Sequence, residues 1–247
     1  MEVHQLLDEE THTYTYVLVD SDTRMALIVD PVRDRWERDL ALIEENGLTL
    51  SMILETHVHA DHVTGAGILR EKTGASILVG EAAAVPCADR QLTDKESIIL
   101  GNTIIQVRST PGHTPGCISL FVDDISSPMV FTGDALLING CGRTDFQGGS
   151  SKVLFQSIHS QLWTLPDHTV VYPGHDYNGR HSSTIGAEMK CNPRLKTPIS
   201  SEHFEHMMTN LGLPYPKRIR MSLPANYACG LMMGSVPESS LDQKGMS

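Results

Sequence analysis

Aromatic side chains make up only 5% of the chain, and no apolar run approaches the roughly 18 residues of a membrane helix. Basic residues are also scarce, 19 against 30 acidic ones, for a net charge of −11. That balance disfavours nucleic-acid binding, which needs clustered Lys and Arg. It also means that an anionic substrate must be drawn in by a metal or by a few placed cations. The five cysteines are widely spaced and include no Cys-x-x-Cys, so a disulfide framework is not expected and a reducing compartment is. The amino terminus lacks both a basic n-region and an Arg-rich transit pattern, so the expected location is cytoplasmic, away from membranes. There is no repeat, low-complexity tract or Ser/Gly linker.

What remains is ordinary globular composition, 40% hydrophobic over 247 residues. A chain this long buries enough surface to fold without disulfide staples. Strand and helix patterns alternate throughout. Residues 13–19 and 25–29 read as a hairpin, and 35–46 as a helix with Trp36, Leu40 and Ile43 on one face and Gly47 as its stop. Strands are expected at 51–55, 76–79, 98–100, 103–108, 118–122, 129–132 and 169–172. Helices are expected at 66–73, closed by Gly74, at 152–165, capped by Ser150 or Ser151, and near 184–190 and 202–211. The pattern implies a layered α/β domain over 1–236 and a loose polar tail over 237–247.

Histidine is the abundant residue, with twelve copies, several clustered. Thr56-His57-Val58-His59-Ala60-Asp61-His62 follows an expected strand and precedes an expected helix. In extended chain, residues two apart point the same way, so His57 and His59 can face one centre while Asp61 and His62 approach from the turn. Imidazoles and a carboxylate this close suit a divalent first-row metal. Later strand ends add His113 in Thr110-Pro-Gly-His-Thr-Pro-Gly116, Asp134 in Phe131-Thr-Gly-Asp-Ala135, and His175 in Tyr172-Pro-Gly-His-Asp176. A lone histidine elsewhere in the chain is read as a solvated or hydrogen-bonded residue.

His-x-His-x-Asp-His followed by the Gly-His, Gly-Asp and Pro-Gly-His segments resembles the metallo-β-lactamase superfamily. The resemblance implies an αββα sandwich, two mixed β-sheets flanked by helices, with metal at one sheet edge. Cys141-Gly-Arg-Thr-Asp-Phe-Gln147, Asn192-Pro-Arg-Leu195 and Leu223-Pro-Ala-Asn226 with Cys229-Gly230 are similar to persulfide dioxygenases. That family resemblance implies one Fe(II) per chain, held by His57, His113 and Asp134, a two-His, one-carboxylate set that leaves coordination positions open for sulfur and O2. It implies that His59, Asp61, His62 and His175 orient ligands and water through hydrogen bonds. The implied reaction converts glutathione persulfide, O2 and water to glutathione and sulfite.

Arg143 could clamp a glutathione carboxylate or simply pair with Asp145. Tyr177 could hydrogen-bond a glutathione carbonyl or pack half-buried, and Arg194 could bind a carboxylate or join a surface ion pair. Cys117 and Cys141 read as small buried hydrophobes, and the pairs Met207-Met208 and Met232-Met233 as packing. Two other readings stay open. One is a glyoxalase-II-like hydrolase of glutathione thioesters with two metals. The other is a metal- or redox-sensing binding protein. Free-standing action without an appended rhodanese domain is expected, and a homodimer is allowed for.

Overall fold

The computed structural model describes residues 1–231. The expectations for Met232, Met233, the end of the 1–236 domain and the tail at 237–247 lie outside the described residues. Two six-stranded sheets face each other, each with its strands side by side in chain order. The first contains β1 (Glu2–Asp8), β2 (Thr13–Val19), β3 (Met25–Val29), β4 (Thr49–Glu55), β5 (Ser76–Gly80) and β6 (Arg90–Leu92). Its first three strands are antiparallel and the rest parallel. The second contains β7 (Ser97–Leu100), β8 (Thr103–Ser109), β9 (Ile118–Val122), β10 (Met129–Gly133), β11 (Val170–Pro173) and β12 (Ser183–Thr184). It is antiparallel except where β10 meets β11.

Helices cover the outer faces. They are α1 (Trp36–Glu45), α2 (Ala66–Thr73), α3 (Ser151–Ser157), α4 (Ile185–Cys191), α5 (Ser201–Thr209) and α6 (Ile219–Tyr227). The parallel pairs β3–β4 and β4–β5 need crossovers, which α1 and α2 supply. Strand alternation explains the layering. Tyr14, Tyr16 and Leu18 of β2 enter the core between the sheets with Leu120 and Phe131. Val17 and Val19 of the same strand face Ile43 of α1 and Leu69 of α2. On the second sheet Phe121, Val130 and Val171 meet Leu154 of α3 and Phe204 of α5. These layers form the αββα sandwich of two mixed sheets.

The expected helix at 66–73 and its Gly74 stop match α2, with Gly74 left-handed at φ 77°. Ser150 caps α3 by accepting from the Val153 N–H. The helix expected over 152–165 is shorter, because its last turns widen into a π-helical segment, Ile158–Leu162. Four elements escaped the sequence reading. β1 mixes polar and apolar residues as an edge strand, β6 and β12 are too short to show a period, and α6 carries Pro224 inside it.

One expectation is overturned. Cys87 and Cys229 form a disulfide, although no disulfide framework was expected from their spacing. They lie 142 residues apart in sequence, and only the packing of α6 beside the segment after β5 brings them together. In the chain-entropy picture, closing so long a loop stabilises the fold by about 5 kcal/mol. Cys117, Cys141 and Cys191 are free.

Phe131 sits between two tyrosines, with ring centroids 5.1 Å from Tyr16 edge-on and 5.0 Å from Tyr172 stacked. Phe131→Ala leaves a cavity between the sheets and is expected to cost about 3–5 kcal/mol. Urea unfolding followed by far-UV circular dichroism measures it; a loss below about 1 kcal/mol would contradict this packing.

Candidate metal centre

The sheets meet at one end, where Ile118 N–H donates to the Thr56 carbonyl and Tyr14 N–H to the Gly174 carbonyl. His57 follows β4, His113 lies between β8 and β9, Asp134 follows β10 and His175 follows β11. One ligand atom each from His57, His113 and Asp134 falls within 4.8 Å of the other two. Each donor is held through its other atom. His113 Nδ1–H donates to the Arg143 carbonyl at 2.7 Å, which frees Nε2, placed 3.7 Å from Asp134 Oδ2. The Thr56 hydroxyl gives its proton to Asp30 Oδ2 at 2.7 Å and accepts from His57 Nδ1–H at 3.0 Å, which frees His57 Nε2. Asp134 Oδ1 accepts from His175 Nδ1–H at 2.7 Å, which leaves Oδ2 open. Metal ligands are oriented by hydrogen bonds of this type.

The electrostatics favour the same protonation states. Burial, with the nearby His59 and His113, holds His57 well below the usual histidine range, so it is the neutral imidazole that ligation requires. Burial raises the Asp134 carboxyl, but His175 and then His113 outweigh it and keep the group ionised. Burial opposes charge on His175, yet Asp134 and Asp61 lift it well above the usual range. Two imidazole nitrogens and one carboxylate oxygen, all converging, fit a divalent metal.

The remaining histidines of the motif point elsewhere. His59 is 1% exposed, with Nε2 3.1 Å from Asp30 Oδ1 and 3.2 Å from Glu55 Oε2. These carboxylates overcome the burial penalty and keep His59 charged. Asp61 Oδ2 lies 3.0 Å from His62 Nδ1 and 3.1 Å from His175 Nε2. Burial raises the Asp61 carboxyl, and the two histidines more than offset it. Asp61 thus holds His62 and His175 together, while His62 Nε2 is buried without a hydrogen-bond partner. His59, Asp61 and His62 still form a second cluster with ligand atoms within 4.8 Å.

The metallo-beta-lactamase superfamily model matches residues 9–175. The chain is 44% identical to the mitochondrial persulfide dioxygenase ETHE1 of Mus musculus over 93% of this chain and 89% of that protein. The Homo sapiens protein of the same name gives the same identity and coverage. The crystal structure of ETHE1 from Myxococcus xanthus superposes with a TM-score of 0.89 at 46% identity, covering 93% of this chain and 100% of that one. A hydroxyacylglutathione hydrolase of Brucella ovis is 37% identical over 75% of this chain and 71% of its own. The chain belongs to the metallo-beta-lactamase superfamily and, within it, to the persulfide dioxygenase family.

In this persulfide dioxygenase family member His113 and Asp134 open onto a cleft of about 470 Å3, whose wall includes Arg143, Phe146, Tyr177 and Arg194. The three side chains expected to touch substrate thus share one cavity with His113 and Asp134, in different states. Arg143 is paired with Asp145 through two 2.7 Å bonds, donates to the Pro214 carbonyl at 2.6 Å and lies over the Phe146 ring. The ion-pair alternative is the one this structure displays. Arg194 donates from Nη1 to the Cys141 carbonyl at 3.0 Å. Tyr177 is 66% exposed, with its ring parallel to that of His175. Burial pushes the Cys117 thiol up to about 12 and the Cys141 thiol to about 11, so both act as buried hydrophobes.

Asp30, Glu55 and Thr56 were missed from sequence. Asp30 carried the same signal that revealed Asp134, an acid ending an apolar strand. It also adopts φ 51°, unusual for a residue other than glycine. Thr56→Val removes the acceptor for His57 Nδ1–H and is expected to weaken divalent-metal binding about 10–100-fold. Competition against a calibrated chelator measures this, with circular dichroism checking the fold. Unchanged affinity would exclude a role for Thr56 in orienting His57.

Proposed function

We propose that the protein is a persulfide dioxygenase that converts glutathione persulfide, O2 and water to glutathione and sulfite at a single Fe(II). The observation that carries this reading is the division of labour among the histidines. Three donors converge, His59 is turned onto Asp30 and Glu55, and Asp61, His62 and His175 hold one another. His57, His113 and Asp134 hold the ion. When bound, Fe(II) supplies open coordination positions and the electrons by which O2 is activated toward an anionic sulfur.

The protein's own groups then orient and exclude. The Thr56 hydroxyl and the Arg143 carbonyl keep both imidazoles in the ligating tautomer. His175 draws on one Asp134 oxygen and leaves the other for the ion. Phe146 and the backbone around Cys141 wall off one side of the cleft, holding the persulfide end out of bulk water. Arg194 and Tyr177 face the cavity to take a glutathione carboxylate and carbonyl. Arg143 contributes a third substrate contact when Asp145 exchanges its place with a substrate carboxylate. The location we assign is the cytoplasm. The mouse and human relatives are named mitochondrial, and cell fractionation distinguishes the two. Among the described residues no helix is long and apolar enough to cross a membrane.

Iron-loaded protein given glutathione persulfide in an oxygen electrode is expected to consume O2 and release sulfite in equal amounts, with one iron per chain. Two bound zinc ions with thioester hydrolysis and no O2 uptake would select the hydrolase reading instead. Stoichiometric metal with neither activity would select a sensor.

Asp134→Ala is expected to lose both iron and O2 uptake. Arg194→Ala is expected to keep iron and raise KM about 10-fold, the size of one charge-assisted hydrogen bond. An unchanged KM would remove Arg194 from the substrate site.

A further inference from the structure

Helix α6 reaches the metal-binding loop from the far end of the described chain. Asn226 is 6% exposed. Its Nδ2 donates to the His59 carbonyl at 2.8 Å and the His62 carbonyl at 2.9 Å, and its Oδ1 accepts from Thr64 N–H at 2.8 Å. One side-chain amide thus satisfies three backbone groups of the segment that carries His57, Asp61 and His62. An apolar replacement leaves those groups unpaired in a buried setting.

The backbones on either side also touch. Gly67 N–H donates to the Cys229 carbonyl at 2.8 Å, and a Cβ at Gly67 would lie 2.4 Å from that oxygen. A Cβ at Gly230, whose φ is 78°, would lie 2.1 Å from the Thr64 carbonyl oxygen. A small cavity of about 10 Å3 lies at this seam, lined by His57, His59, Thr64, Asn226 and Cys229 among others.

α6 has little helical stability of its own. It is nine residues long with Pro224 inside it, and isolated helices of that length are marginal even without proline. Two residues after its end, Cys229 is joined to Cys87. We propose that α6 is a clamp on the metal-binding loop, with Asn226 as its positioning residue and the Cys87–Cys229 disulfide as a thiol-sensitive latch that sets how firmly it grips.

The chemistry is ordinary exchange. Cys229 is buried and Cys87 half-buried, so a low-molecular-weight thiolate attacks the Cys87 sulfur. The Cys87–Cys229 bond breaks, a mixed disulfide forms on Cys87, and Cys229 leaves as a thiolate that takes up a proton. A second thiol displaces Cys87 from the mixed disulfide. The balance is one protein disulfide and two thiols giving two protein thiols and one small disulfide.

The proposal rests only on residues 57–62 forming the metal loop, and its readouts do not involve persulfide or O2. They are backbone amide exchange over 57–67 and the rate at which a chelator extracts iron from the loaded full chain. Oxidised protein is expected to titrate three thiols in denaturant and five after reduction, from the five cysteines and one disulfide. Dithiothreitol is expected to speed both exchange and extraction about 10-fold, within the range found for groups that position metal ligands. Cys87→Ser is expected to match the reduced wild type with or without dithiothreitol, and Asn226→Ala to exceed it.

Five titratable thiols in oxidised protein, or equal exchange and extraction before and after reduction, would overturn the latch. If Asn226→Ala folds and behaves as the wild type, Asn226 is not the positioning residue. If it does not fold, the Cys87→Ser and dithiothreitol comparison decides the proposal by itself.

Discussion

The centre depends on one buried carboxylate that touches no ligand atom of the three-donor cluster. Asp30 ends β3 and accepts from both the Thr56 N–H and the Thr56 hydroxyl at 2.7 Å. The first bond positions the backbone entering the histidine motif. The second spends the hydroxyl proton, so that Thr56 can only accept from His57. The same carboxylate lies 3.1 Å from His59 Nε2 and, with Glu55, draws that ring inward. Two histidines that alternate along one short segment are thereby sent to different tasks. An unpaired carboxylate this deep would be costly, and its hydrogen bonds to Thr56 and its ion pair with His59 offset the penalty.

A second constraint is steric. Gly133 occupies φ 49°, and a Cβ there would lie 2.5 Å from Thr56 Oγ1. The glycine of the Gly-Asp strand end therefore makes room for the hydroxyl that orients His57, and so ties the second sheet's contribution to the first's. Asp134, one residue on, extends the network through His175 to Asp61 and His62. Carboxylates and imidazoles alternate along this chain, each lowering the cost of burying the next.

The net charge of −11 gives the cleft its other character. Arg143, Arg180 and Arg194 all reach its wall in a protein that otherwise repels anions. Arg180 is held by Asp176 and Arg143 by Asp145, so the positive charge is placed by neighbouring carboxylates. Local pairing of this kind fixes guanidinium positions at the expense of their free donors.

Sequence by itself determined most of the elements and the segments that converge. Period-two and helical patterns were readable because each strand and helix buries one face, and strand-end histidines and acids stood out against an otherwise bland background. The donor cluster was legible as residue types at intervals along the chain. Tertiary structure decided which of those residues point together. Thr56 and Asp30 turn His57 and His59 toward different partners, an arrangement made by residues 26 apart in sequence. It also decided that Arg143 lies against Asp145, that Cys87 finds Cys229, and that Asn226 reaches the metal loop. Hydrogen bonds and disulfides across such separations depend on where the packed layers bring side chains, and no local period records that.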